Sequence, residues 1–183
     1  MSTLRPAAIA ATYSVAPPAR YLRFYDKREF AGLGRLQLKQ GFLEGDFDTQ
    51  LNSSRLLRDI EGLTSRHHFP PYSVARWLEE FPGLVPLSVL DEARFGVAGG
   101  TPSGAFLAVR LNRPACPVYV VVREGPAALP LASSLDAFIR GQAWRDARAD
   151  AAFVQGAPFF AFGWGKARPA TQGGTMKLRP RIA

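Results

Sequence analysis

Hydrophobic and polar positions divide this chain into short elements separated by glycine- and proline-rich turns. Leu36 and Leu38 alternate with Arg35, Gln37 and Lys39, the period-two pattern of a half-buried strand. Tyr21 to Phe24 alternates enough to predict a further short strand, and Gly41 and Gly45 with Glu44, Asp46 and Asp48 predict a loop. Asn52-Ser53-Ser54 supplies N-cap chemistry for a helix carrying Leu56, Leu57, Ile60 and Leu63. A second helix follows Pro70-Pro71, with Val74, Trp77, Leu78 and Phe81 as its core side and Pro82-Gly83 as its stop.

Beyond Leu84 the pattern becomes extended. Leu84 to Leu90 is a short apolar run that leads to a loop with Asp91 and Glu92. Residues 99–104 form a turn before a strand from Ala105 to Leu111. Val118 to Arg123 is the clearest strand, β-branched and aromatic, and its unbroken hydrophobicity predicts a central strand covered on both faces. Leu129 to Ala132 is weakly extended, and Ser133 or Ser134 then caps a helix with Leu135, Phe138 and Ile139 inside and Gly141 at its end. Phe159, Phe160, Phe162 and Trp164 form a late aromatic segment that reads as an edge strand. Together these elements predict a single α+β domain over residues 21–164, with a mixed, largely antiparallel sheet and flanking helices. Residues 1–20 read as a flexible leader and residues 165–183 as a basic, mobile tail.

Composition narrows the class. At 47% hydrophobic and 21% charged residues, the 183-residue chain has the balance of a folded protein rather than a disordered one. No apolar run approaches the roughly 18 residues that span a bilayer, and the start lacks the unbroken apolar region of a secretory signal. The expectation is a soluble, cytoplasmic protein. The net charge of +8 sits in the ends. Residues 1–40 hold seven basic against two acidic groups and residues 165–183 five against none, while residues 41–125 hold eight against ten. A nucleic-acid-binding core would carry its basic stripe on the folded body, so only the ends suit nonspecific attraction to nucleic acid.

Candidate chemistry is sparse. Cys116 is the single cysteine, which excludes an internal disulfide or a paired-cysteine metal site, and it reads as a small buried residue rather than a nucleophile. His67 and His68 are adjacent and cannot share a helix face as metal ligands at i,i+4 do. No GxSxG elbow and no GxxxxGK[ST] loop occurs, so Gly99-Gly100-Thr101 is read as a turn. No cofactor, small-molecule substrate or catalytic residue is expected. A protein-contact surface is the remaining reading, since aromatic residues and arginine dominate interface energetics. Its candidate residues are Asp91, Glu92, Arg94, Arg110 and Arg113 with Phe159, Phe160, Phe162 and Trp164.

From Leu84 onward the order of parts resembles the SUKH superfamily, the cell-wall-regulator-like proteins that often serve as bacterial toxin-immunity proteins. The resemblance runs through Leu84-Val85-Pro86-Leu87, Gly104-Ala105-Phe106-Leu107-Ala108-Val109 and Pro117-Val118-Tyr119-Val120-Val121-Val122. It closes on Leu131-Ala132-Ser133-Ser134-Leu135-Asp136-Ala137-Phe138-Ile139, similar to the family's capped final helix. Phe69-Pro70-Pro71-Tyr72 with Trp77-Leu78 matches its early helix. The resemblance implies a mixed sheet with flanking helices and the work of binding and blocking a cognate toxin, with no catalytic residues. Glu44, Asp46, Asp48, Asp91 and Glu92 would suit a basic toxin; Arg94, Arg110 and Arg113 would suit an acidic one. The alternative is an accessory protein that binds nucleic acid through its basic terminal segments.

Overall fold

Pro18 sets the first boundary. Its fixed φ of −64° suits a helix start, and its carbonyl accepts from the amides of Tyr21 and Leu22 at 3.0 and 3.1 Å. The helix that follows, α1 (Ala19–Asp26), corrects the strand expected at residues 21–24. Tyr21 and Phe24 lie three apart, so one helical face buries both, and that burial decides the conformation over the short alternation. The computed structural model describes residues 11–27, 29, 33–38, 45–49, 74–91, 105–122, 127–150, 153, 155 and 160–165. Tyr13, within the stretch read as a leader, is buried against the core.

Two strands come next, β1 (Arg35–Leu38) and β2 (Gly45–Thr49). β1 lies where the alternation predicts it, whereas β2 replaces the expected acidic loop. Backbone pairing on both sides of β2 outweighs the low strand preference of Gly45 and Asp46. The helix expected from residue 55 lies outside the described residues. Helix α2 (Val74–Glu80) then leads through a turn into β3 (Leu84–Asp91), with Gly83 at φ +76°, where a Cβ would be strained. The remaining strands are β4 (Ala105–Arg110), β5 (Val118–Val122) and β6 (Ala127–Ala132). Helix α3 (Leu135–Ile139) is capped by the Ser134 side chain, whose oxygen accepts from the Ala137 amide at 3.0 Å. A 3-10 turn at Ala147–Ala149 and the strand β7 (Phe162–Gly165) complete the described chain.

The seven strands form one sheet in the order β6-β5-β4-β3-β2-β1-β7, and every pairing is antiparallel. The architecture is thus a single α+β domain with an antiparallel sheet and flanking helices. Pro86 cannot donate to a ladder, and the register shifts between Pro86 and Ser88, a bulge that admits proline into a central strand. All five residues of β5 are buried, as its unbroken hydrophobicity predicts.

A flat sheet of seven strands at ~4.8 Å spacing would hold β6 and β7 roughly 29 Å apart. They are not that far apart. α3 starts three residues after β6 and has only five residues, yet its Phe138 ring lies 5.0 Å from the Trp164 ring of β7. The Trp164 indole also donates to the Phe138 carbonyl at 2.9 Å. The sheet therefore curls until its two outer strands flank α3. Leu36, Leu38, Phe162 and Trp164 share the concave face that α3 packs on. Counted along the register, Leu107, Val109, Val118 and Val120 belong to this face. Phe106, Ala108, Arg110, Tyr119 and Val121 belong to the opposite, convex face. There Phe106 meets Trp77 of α2 at 5.5 Å.

Candidate functional site

The convex face carries a polar cluster where the turn joins β4 to β5. Arg110 is the last residue of β4, and Tyr119 pairs with Ala108 two positions before it, so the two side chains are diagonal neighbours on one face. The Arg110 guanidinium sits over the Tyr119 ring, 5.3 Å from its centroid. Trp144, in the segment after α3, also meets Tyr119, edge-on at 6.0 Å. That segment is anchored to the outer strand, because the Trp144 amide donates to the Leu131 carbonyl at 2.8 Å.

The 3-10 turn at Ala147–Ala149 delivers Asp150 beneath these groups. Its carboxylate is fully buried and is met by the Arg113 guanidinium from the β4–β5 turn, which remains 41% exposed. A buried carboxylate needs such a partner, since an unpaired charge in the interior is strongly unfavourable. The Tyr119 hydroxyl feels both neighbours. Burial pushes it up to about 12, the Asp150 charge adds to that rise, and Arg110 opposes it. At neutral pH it stays protonated and is a poor proton acceptor. The chemistry available here is recognition of an anion by guanidinium groups.

A second ionic cluster lies beside the concave face. Arg20 of α1 reaches Asp136 of α3 at 2.8 Å and Glu29 at 2.7 Å. The hydrogen bond from Arg20 holds the Asp136 carboxyl below its ordinary value. The arrangement ties one helix to another. Nearby, Cys116 is buried and its thiol is pushed up to about 11 by burial, so it is not a thiolate at neutral pH. Among the described residues, no three His, Cys, Asp or Glu side chains are grouped to hold a metal ion. Within the same residues, no helix is long and apolar enough to cross a membrane.

The residues expected at a contact surface do not come together in one place. Arg110 and Arg113 are brought together through Tyr119 and Asp150. Asp91 ends β3 opposite Asp48 of β2, so two acidic positions share one rung of the ladder. Phe160 and Phe162 are core residues at 2% and 7% exposure, while Trp164 is half-buried against α3. Glu92, Arg94 and Phe159 lie outside the described residues. Trp144, Tyr119 and Asp150 belong to the cluster without having been singled out. An isolated tryptophan in the polar run after Gly141 was the available signal.

No family model, curated protein or solved structure matches this chain. The roles of its residues rest on their own geometry.

Proposed function

We propose that this is an immunity protein, one that binds a cognate bacterial toxin in the cytoplasm and neutralises it by contact, without catalysing a reaction. The observation that carries this reading is the half-exposed Arg110–Arg113–Trp144 corner, which Tyr119 and the buried Asp150 hold together. Arginine and tryptophan on a rigid base are the residue types that dominate protein interfaces. The segments that resemble the SUKH superfamily lie in β3 to β6 and α3, and Tyr119 of this corner falls within them. A complex of standard size would bury roughly 1,600 Å² in total around it.

The test is affinity capture of a tagged copy from its native cells, followed by expression of the captured protein alone and with this chain. A stoichiometric partner that arrests growth alone, and is silenced by co-expression, supports the reading. Recovery of nucleic acid alone, released by moderate salt, transfers the function to the basic ends of the chain.

A further inference from the structure

We infer that Arg110 is the receptor for an acidic side chain, an aspartate or glutamate presented by a protein partner. The inference rests on the proposed contact function and names the chemistry of the partner at that site. Its basis is an imbalance of charge and hydrogen bonding at one corner. Arg113 and Asp150 compensate one another. Arg110 has no such counterpart: among the described residues its guanidinium meets the Tyr119 ring, and no carboxylate pairs with it. Its Nε is shielded from water and lacks a hydrogen-bond acceptor. The residue as a whole is only partly buried, so part of its side chain still reaches solvent.

A guanidinium in this state has lost hydration without gaining an ion pair. Its contact with Tyr119 also restrains the side chain, so less rotamer freedom is left to lose when a ligand arrives. A carboxylate fits the planar fork of donors and restores what burial removed. A polyanion fits less well. Nucleic-acid binding needs a row of phosphate contacts, and among the described residues this corner offers one guanidinium without a carboxylate partner. The half-buried Trp144 supplies an apolar wall beside the fork, as a single side chain from a protein partner requires.

The full chain, with ¹⁵N-labelled arginine and tryptophan, is titrated with a short Asp- and Glu-containing peptide and with its Asn and Gln counterpart. The expected result is a saturable shift of the Arg110 Nε–Hε signal and of the Trp144 indole signal with the acidic peptide, and none with the amide peptide. Arg110→Gln should weaken the acidic peptide by about tenfold, the loss of one charge-assisted contact. Arg110→Lys, which keeps the charge and the fold, should recover part of that affinity. An unmoved Arg110 signal, equal shifts from the amide peptide, or tighter binding of a single-stranded oligonucleotide at the same signals overturns the inference. A captured toxin whose affinity is unchanged by Arg110→Gln overturns it too while the immunity reading stands. A specific acidic-peptide response in a chain that captures no toxin does the reverse.

Discussion

Trp77 and Trp164 make the same bond in opposite halves of the molecule. Each indole donates to a backbone carbonyl at 2.9 Å, Trp77 to Leu84 and Trp164 to Phe138. Trp77 bridges seven residues and is completely buried, wedged between Phe81 and Phe106. Trp164 bridges 26 residues, is half-buried, and joins α3 to the last strand. The first bond fastens a helix to the strand that directly follows it. The second holds a curled sheet shut. Their geometry alone does not rank them. Burial and the length of chain each one bridges do.

The largest effect is expected from Trp77→Ala, which removes a fully buried ring and leaves a cavity. Loss of about 3–5 kcal/mol in urea unfolding, with all probes falling together, is the expected outcome. A loss below about 1 kcal/mol would mean that the α2–β3 half does not depend on this side chain.

Alkali tests the other half next, since several groups act together there. Tyr21, Tyr25 and Cys116 lie around α1, beside α3, and burial raises all three; Tyr25 reaches about 12 and Cys116 about 11. The native state then keeps protons that the unfolded chain gives up, so stability is full below the unfolded values of 9.0 and 10.0 and falls as pH rises toward 11 and 12. A pH series of urea midpoints should fall only above about pH 9. A flat series to pH 11 would contradict the packing around α1.

Smaller, and on the convex face, is the effect of Arg113→Met. It removes the ion-pair partner of the buried Asp150 carboxylate and should cost about 1–3 kcal/mol, with Asp150→Asn in the same background recovering part of the loss. No recovery in the double variant would mean that the two side chains are not coupled.

Smallest is Trp164→Phe, which keeps a ring and removes only the indole donor. A cost of about 1 kcal/mol is expected, together with faster amide exchange confined to β7 and its partner β1. Uniformly faster exchange throughout the sheet would erase the distinction between the two tryptophans.

Much of the fold was legible because single residues carried it. Leu36 and Leu38 announce β1, the unbroken run in β5 announces a strand covered on both faces, and Ser134 and Gly141 bracket α3, with Gly141 at φ +69°. Failures came where a neighbour elsewhere in the chain decides. Four residues from Tyr21 to Phe24 are compatible with either period, and the core beneath them selects the helix. Gly45 and Asp46 look like a loop until β1 pairs with them, while β3 pairs with Asp48 and Thr49 further along the same strand. At the candidate site, Arg110 and Arg113 could be picked out by type, but their linkage through Tyr119 and Asp150 depends on a 3-10 turn whose position no local pattern reveals. In the aromatic segment, Phe160 and Phe162 are buried, and Phe162 meets α3 from a strand whose pairing with β1 is written in neither strand alone.

The partnership of β1 with β7 also imposes an order of events on synthesis. From β1 to β6 each strand pairs with the one made just before it, so the sheet can grow as the chain emerges. The outer rim of β1 is different: it waits for residues made well over a hundred positions later. During that interval the nascent chain presents an unpaired rim of amides and carbonyls to its surroundings, a template on which another copy can dock. The polar Arg35 and Gln37 alternate with the leucines of that strand, and a charged position beside an unpaired rim disfavours such docking until the final strand closes the seam.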